Sequence, residues 1–119
     1  MDIKEWNKKI YKHSNVKSKP FSEVLWNAFE IKSWPLFKDA CSYHVPDLWR
    51  EEVIKLIYKT RNVLGDRIQF SQIKEKFCYL TIYYSAKDDE AKQLMESFVE
   101  ECRKNLIEKG IHPKGEENE

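Results

Sequence analysis

The residues of this chain whose types could do chemistry are three histidines, three cysteines and a few adjacent carboxylates, and their spacing decides which reactions are open. Nucleophilic catalysis needs an activated Ser or Cys, a base within reach and a third group to orient that base. His13 lies in a polar stretch and His112 near the end of the sequence, so only His44, between Tyr43 and Val45 and ahead of a helix, has an enclosed setting. Paired acids for proton transfer would be Glu51-Glu52 or Glu100-Glu101, yet both pairs fall on helix faces where solvated charge explains them. Metal binding lacks a His-x-x-x-His, a His-Glu-x-x-His or a Cys pair, and Asp88-Asp89-Glu90 lacks the spaced ligands and glycine of a calcium loop. Gly65, Gly110 and Gly115 form no phosphate-cradling pattern. The expectation is no catalytic residue, no metal and no cofactor.

The composition agrees with a globular binder. The 119 residues suit one domain, with 41% hydrophobic and 34% charged residues and four Trp, six Tyr and six Phe to fill a core. No run approaches the about 18 apolar residues of a spanning helix, and Met1-Asp2-Ile3-Lys4-Glu5-Trp6 has no apolar signal core, so a cytoplasmic location is expected. Cys41, Cys78 and Cys102 are odd in number and widely spaced, which reads as small buried hydrophobes in a reducing compartment. The net charge of +1 hides a polarity: six lysines face two acids in residues 1–20, and ten acids face six bases in residues 86–119.

The elements that must position these groups follow from apolar period. Ile3, Trp6, Ile10 and Tyr11 share one side of a short helix, and residues 13–20 read as a loop. Ser22 caps a second helix with Val24, Leu25, Ala28 and Phe29 on one face, and Pro35 opens a third carrying Leu36, Phe37, Ala40 and Cys41. A fourth helix starts near Pro46-Asp47 and runs to Leu64, with Trp49, Val53, Leu56, Ile57 and Thr60 on its buried face and Gly65 ending it. From Arg67 the period becomes 2. Ile68 and Phe70, then Cys78, Leu80, Ile82 and Tyr84, mark a hairpin over about 67–85, whose glycine-free turn in Lys74-Glu75-Lys76 should be long or bulged. Asp88 or Ser85 caps a long helix to about 109, with Ala91, Leu94, Met95, Phe98, Val99, Cys102 and Leu106 on one face. The expected fold is α+β: a helical N-terminal half and a small antiparallel sheet packed on the long last helix. One domain spans 1–113, and 114–119 form an acidic tail.

Gln72-Ile73-Lys74-Glu75-Lys76-Phe77, with Leu80, Tyr83-Tyr84 and Asp88-Asp89-Glu90, resembles a loose family of small uncharacterised proteins common in phages and mobile elements. Its members show a Gln-Val-Lys-Glu-Lys-Phe-Gly segment, a Leu-Arg-Phe-Tyr strand and an upstream helix with a tryptophan, which here would be Trp49. The resemblance covers roughly residues 45–95. Cys78 stands where the family has Gly and Thr81 where it has Arg, and the downstream Cys-x-x-Cys is missing, so the resemblance implies a scaffold and an origin, not zinc chemistry.

The resulting expectation is a non-enzymatic protein-binding factor, an inhibitor or immunity-type protein that masks a toxin, nuclease or host defence component. Its contact residues would be Lys74, Glu75 and Lys76 at the hairpin and Asp88, Asp89 and Glu90 at the helix start, with an open sheet edge that a second copy of the chain could also pair with. The alternative is a nucleic-acid-binding accessory protein using Lys8, Lys9 and Lys12 near Tyr11 and Trp6.

Overall fold

The structure, a computed structural model, describes residues 2–11, 19–20 and 37–114, the strand residues 19–20 and 37–42 by their backbone alone. The chain is an α+β protein. Helix α1 (Ile3–Ile10) comes first, then a two-residue strand β1 (Lys19–Pro20) and strand β2 (Phe37–His44). A 3-10 turn (Asp47–Trp49) leads into helix α2 (Arg50–Leu64), a second (Gly65–Arg67) follows it, and the hairpin strands β3 (Ile68–Lys76) and β4 (Tyr79–Ala86) precede helix α3 (Asp89–Glu108). The sheet order is β1-β2-β3-β4, with β2 parallel to β3 and the other pairs antiparallel, so the sheet is mixed, a correction to the antiparallel sheet expected from the hairpin alone.

Helix α1 begins where Asp2 Oδ1 accepts the Glu5 N–H at 2.9 Å. In α2 the expected face is the buried one: Val53, Leu56, Ile57, Thr60 and Leu64, preceded by fully buried Trp49. Gly65 then takes φ +54, a left-handed conformation that costs a residue with a Cβ, and its N–H returns to the carbonyls of Thr60 and Arg61. Helix α3 buries Ala91, Met95, Phe98, Val99, Cys102 and Leu106, the stripe its period announces. It packs on α2, where Thr60 Oγ1 donates to Leu56 O at 2.8 Å and to Met95 Sδ at 3.5 Å, and on the inner face of the hairpin.

Two expectations for the first half are corrected. Phe37–His44 is a strand where the four-residue spacing of Leu36, Phe37, Ala40 and Cys41 suggested a helix; pairing with β1 on one side and β3 on the other supplies its backbone hydrogen bonds, and so short an apolar run carries no decisive period. Lys19–Pro20, assigned to a loop, is a strand at the sheet edge, where the missing N–H of proline is tolerated. The helix placed after Ser22, the start of the third at Pro35 and His13 lie outside the described residues.

A bulge sets the register of β3. Phe70 pairs with Tyr84 and Gln72 with Tyr83, which leaves Ser71 extra. Strict alternation from Ile68 and Phe70 would turn Gln72 inward and Ile73 out; the extra residue reverses the phase, and Ile68, Phe70 and Ile73 are all fully buried while Gln72 is exposed. Deleting Ser71 should therefore leave cooperative thermal unfolding in place, because without the extra residue plain alternation already carries Phe70 and Ile73 to the same buried face. Ser71→Ala removes only an exposed hydroxyl bond to Tyr83 O and should cost less than about 1 kcal/mol. Thermal denaturation followed by circular dichroism checks both, and loss of the cooperative transition in the deletion variant would contradict the bulge.

Candidate functional site

The hairpin turn is tighter than its sequence suggests. Lys76 pairs with Tyr79, so the loop is the two residues Phe77 and Cys78, with φ +51 and +69. Positive φ at both positions is the signature of a type I′ turn, which normally takes Asn-Gly. The expected turn in Lys74-Glu75-Lys76 is corrected: these residues are strand, and the irregularity lies at Ser71 instead. Left-handed backbone costs an ordinary L-residue roughly 1–2 kcal/mol, so two such residues need compensation.

Glu75 supplies it. Oε2 of Glu75 accepts the Cys78 N–H at 2.8 Å, and Oε1 accepts the Tyr11 hydroxyl, tying the end of α1 to the turn. The Cys78 side chain is buried beneath the turn, its thiol 3.3 Å from Asn7 Oδ1 and 3.6 Å from Ile3 O. Burial, and then the nearby Glu75 carboxylate, push that thiol above its ordinary pKa, so it stays protonated and donates. Tyr11 is likewise raised, by burial first and then by its bond to Glu75. With its neighbours held down, Phe77 projects from the corner and is 65% exposed.

A second cluster fastens the other side of the turn. Helix α3 ends in a Schellman motif: Gly110, at φ +73, donates to Ile107 O and Ile111 to Leu106 O. The chain then doubles back so that Trp49 Nε1 donates to Ile111 O at 2.6 Å and the His112 ring lies 5.2 Å from Trp49 and edge-on to Tyr79 at 5.3 Å. His112 Nε2 accepts the Leu80 N–H at 3.1 Å, which places its ring proton on Nδ1, 2.7 Å from Pro113 O. The Leu80 carbonyl accepts from Arg103 Nε at 2.9 Å and Nη2 at 2.8 Å. At Leu80 the edge of β4 is therefore covered from within the chain.

Between these clusters runs a groove of about 560 Å³ lined by Asp2, Ile3, Lys4, Trp6, Cys78, Tyr79 and Pro113. Of the residues singled out from sequence, Lys74 and Lys76 flank the turn, with the Lys74 ammonium 5.5 Å over the Tyr83 ring. Glu75 is spent internally. Asp88 caps α3 through Ala91 N at 2.8 Å and is gripped by Arg67 at 2.7 and 3.0 Å, while Glu90 also meets Arg67 at 3.0 Å. Arg67, and then the Ala91 N–H, hold the Asp88 carboxyl below its usual range. Asp89 opens the same helix. This acidic group lies at the base of the hairpin, on the order of 25 Å along the strands from its tip, so the fold separates the two sets of candidate contact residues.

Lys8 and Lys9 fall in the last turn of α1, Lys9 with its ammonium 5.0 Å from the Trp6 ring centre; Lys12 lies outside the described residues. His44 is half-buried on β2. Glu52 is buried between Lys55 at 3.5 Å and Lys109 at 3.8 Å and so links α2 to the end of α3, while exposed Glu51 pairs with Lys55 within α2. Cys102, its thiol against Glu52 O, is pushed up to about 12, chiefly by burial. Among the described residues no group of His, Cys, Asp and Glu is placed to hold a metal ion, and no helix is long and apolar enough to cross a membrane. Sequence reasoning missed His112, Tyr11 and Asn7 as parts of the site; the signal for the turn itself was that extended runs abut Phe77-Cys78 from both sides.

Comparison with protein-family models, with curated proteins and with solved structures returns no match.

Two outcomes follow from this geometry. Phe77→Asn puts a residue that tolerates left-handed backbone where the side chain is mostly in water, and should raise stability by about 0.5–1 kcal/mol in urea denaturation. A loss of stability would show that the phenyl ring packs. His112 has its pKa lowered from 6.5, by desolvation above all, and its Nε2 must stay unprotonated to accept from Leu80. The unfolded chain then binds the proton more readily, so the stabilisation is complete above about pH 6.5 and is lost as pH falls below it, by at most about 1.4 kcal/mol per pH unit. His112→Gln, which keeps an acceptor without the titration, should flatten the slope of the urea midpoint between about pH 6.5 and 5.

Proposed function

We propose that this chain is a non-enzymatic protein-binding factor, an inhibitor or immunity-type protein of a phage or mobile element, that masks the working surface of a partner protein. The observation that carries the reading is Phe77: a large aromatic, 65% exposed, at a left-handed position that favours glycine or asparagine. Backbone strain persists where the surroundings over-determine it, and it gathers at working sites. An aromatic on a pre-ordered corner loses little entropy on docking, which is the character of an interface anchor.

Lys74 and Lys76 beside it supply the charged rim, and Glu75, bonded to Tyr11 and Cys78, stays out of it. Asp88 and Glu90, occupied by Arg67 and far along the hairpin, are left to stabilise the helix start. The phage or mobile-element origin rests on the resemblance of residues 45–95 alone. Capture from a bacterial lysate on the immobilised protein should retain one stoichiometric protein, and Phe77→Asn, folded and more stable, should weaken that complex about 30-fold or more. Recovery of nucleic acid without a protein, or capture indifferent to Phe77, would overturn the reading.

A further inference from the structure

The segment that follows α3 hangs on one buried ring. Gly110 to Lys114 form neither helix nor strand. Past the helix cap, and among the described residues, two hydrogen bonds tie them to the rest of the fold: Trp49 Nε1–H to Ile111 O and the Leu80 N–H to His112 Nε2. The His112 ring is 2% exposed, with Trp49 on one side and Tyr79 on the other.

Its two nitrogens are matched as acceptor and donor while the ring is neutral, Nε2 to the Leu80 N–H and Nδ1–H to Pro113 O. A proton taken from solvent at Nε2 sets one N–H against another. The Leu80 carbonyl beside it is already held by Nε and Nη2 of Arg103. Burial opposes a positive ring most, the Pro113 carbonyl favours it, and of the charged groups Arg103 opposes and Glu100 favours it. Trp49 and Tyr79 bring an indole and a phenol, exposed Lys114 follows on the same segment, and Asp2 and Lys4 of α1 share a groove lining with Pro113.

We propose that His112 is a proton-operated latch: a proton at Nε2 releases residues 110–114 from the hairpin while α2, α3 and the hairpin itself stay assembled. This goes beyond a fall in overall stability, because it states which part leaves first. The α2–α3 seam is held by the apolar stripes of the two helices and does not pass through the ring, whereas the segment has little else to keep it in place. Release leaves the Leu80 N–H without its partner on a strand, Tyr79–Ala86, that carries no charged residue and lies at the sheet edge. Acid thereby uncovers what the neutral histidine conceals.

Hydrogen exchange followed by NMR on the full chain, expressed as protection factors from about pH 7.5 to about pH 5, tests the latch. The Leu80 amide and the Trp49 indole N–H, which both lose their partners when the segment leaves, should lose protection together below about pH 6.5, by at most about tenfold per pH unit. The Ile57 and Val99 amides, inside α2 and α3, should stay protected. His112→Gln should make the Leu80 and Trp49 protection independent of pH, and His13→Gln and His44→Gln should leave the response as it is. Protection at Leu80 that does not change with pH, a loss shared by Ile57 and Val99, or a Trp49 indole that stays protected while Leu80 opens would each overturn the proposal. The unaltered protein supplies a further check that needs no variant: the Leu80 amide resonance should titrate with the midpoint of the His112 ring, and two separate midpoints would overturn it as well.

Discussion

The backbone of Leu80 is the point on which the tertiary structure turns. In the paired register its N–H and carbonyl face away from β3, and an edge strand with such groups free invites another chain to pair. Here both are met from within, the N–H by His112 and the carbonyl by Arg103. Because Arg103 belongs to α3, and His112 to the segment after it that also stacks on Trp49 at the start of α2, closing that one gap fastens both helices and the C-terminal segment to the hairpin. The same contact makes the neutral form of a buried histidine a condition of the fold.

The tip of the hairpin shows the opposite economy. A type I′ turn made of Phe and Cys is locally unfavourable, and the molecule holds it with a carboxylate that accepts from the turn and from a tyrosine of α1, together with a thiol packed against α1. The stabilising groups all lie beneath the turn, and the residue above it is left in water. Among the described residues the compensating contacts come from one side of the turn, and the Phe77 side chain is presented on the other. The groove next to it exists because α1 is drawn up to the turn by those same bonds.

Some elements could be read directly from the residues. Helices α2 and α3 carry long apolar stripes with a glycine or an aspartate where each must stop or start, and the strands of the hairpin alternate. Cys78 and Cys102 are buried, in keeping with their spacing. The strand at Phe37–His44 was not legible, since eight residues fit two periods and only a parallel neighbour more than twenty positions later decides between them. Of the candidate contact residues, charge marked Glu75, Asp88 and Glu90 as conspicuous, but conspicuous charge is what an internal carboxylate and a helix cap also require.

The sequence by itself determined the local matters: which stretches are periodic and where α2 and α3 begin and end, because these depend on residues a few positions apart. The tertiary structure decided the register of β3, the two-residue turn, the covered edge at Leu80 and the grouping of Trp6, Tyr79 and Pro113 around one groove. Each of these joins groups far apart in the chain, such as Tyr11 to Glu75 or Leu80 to His112, and no local preference encodes such a pairing. They form because a buried polar group without a partner is costly, and only the folded chain shows which partner comes within reach.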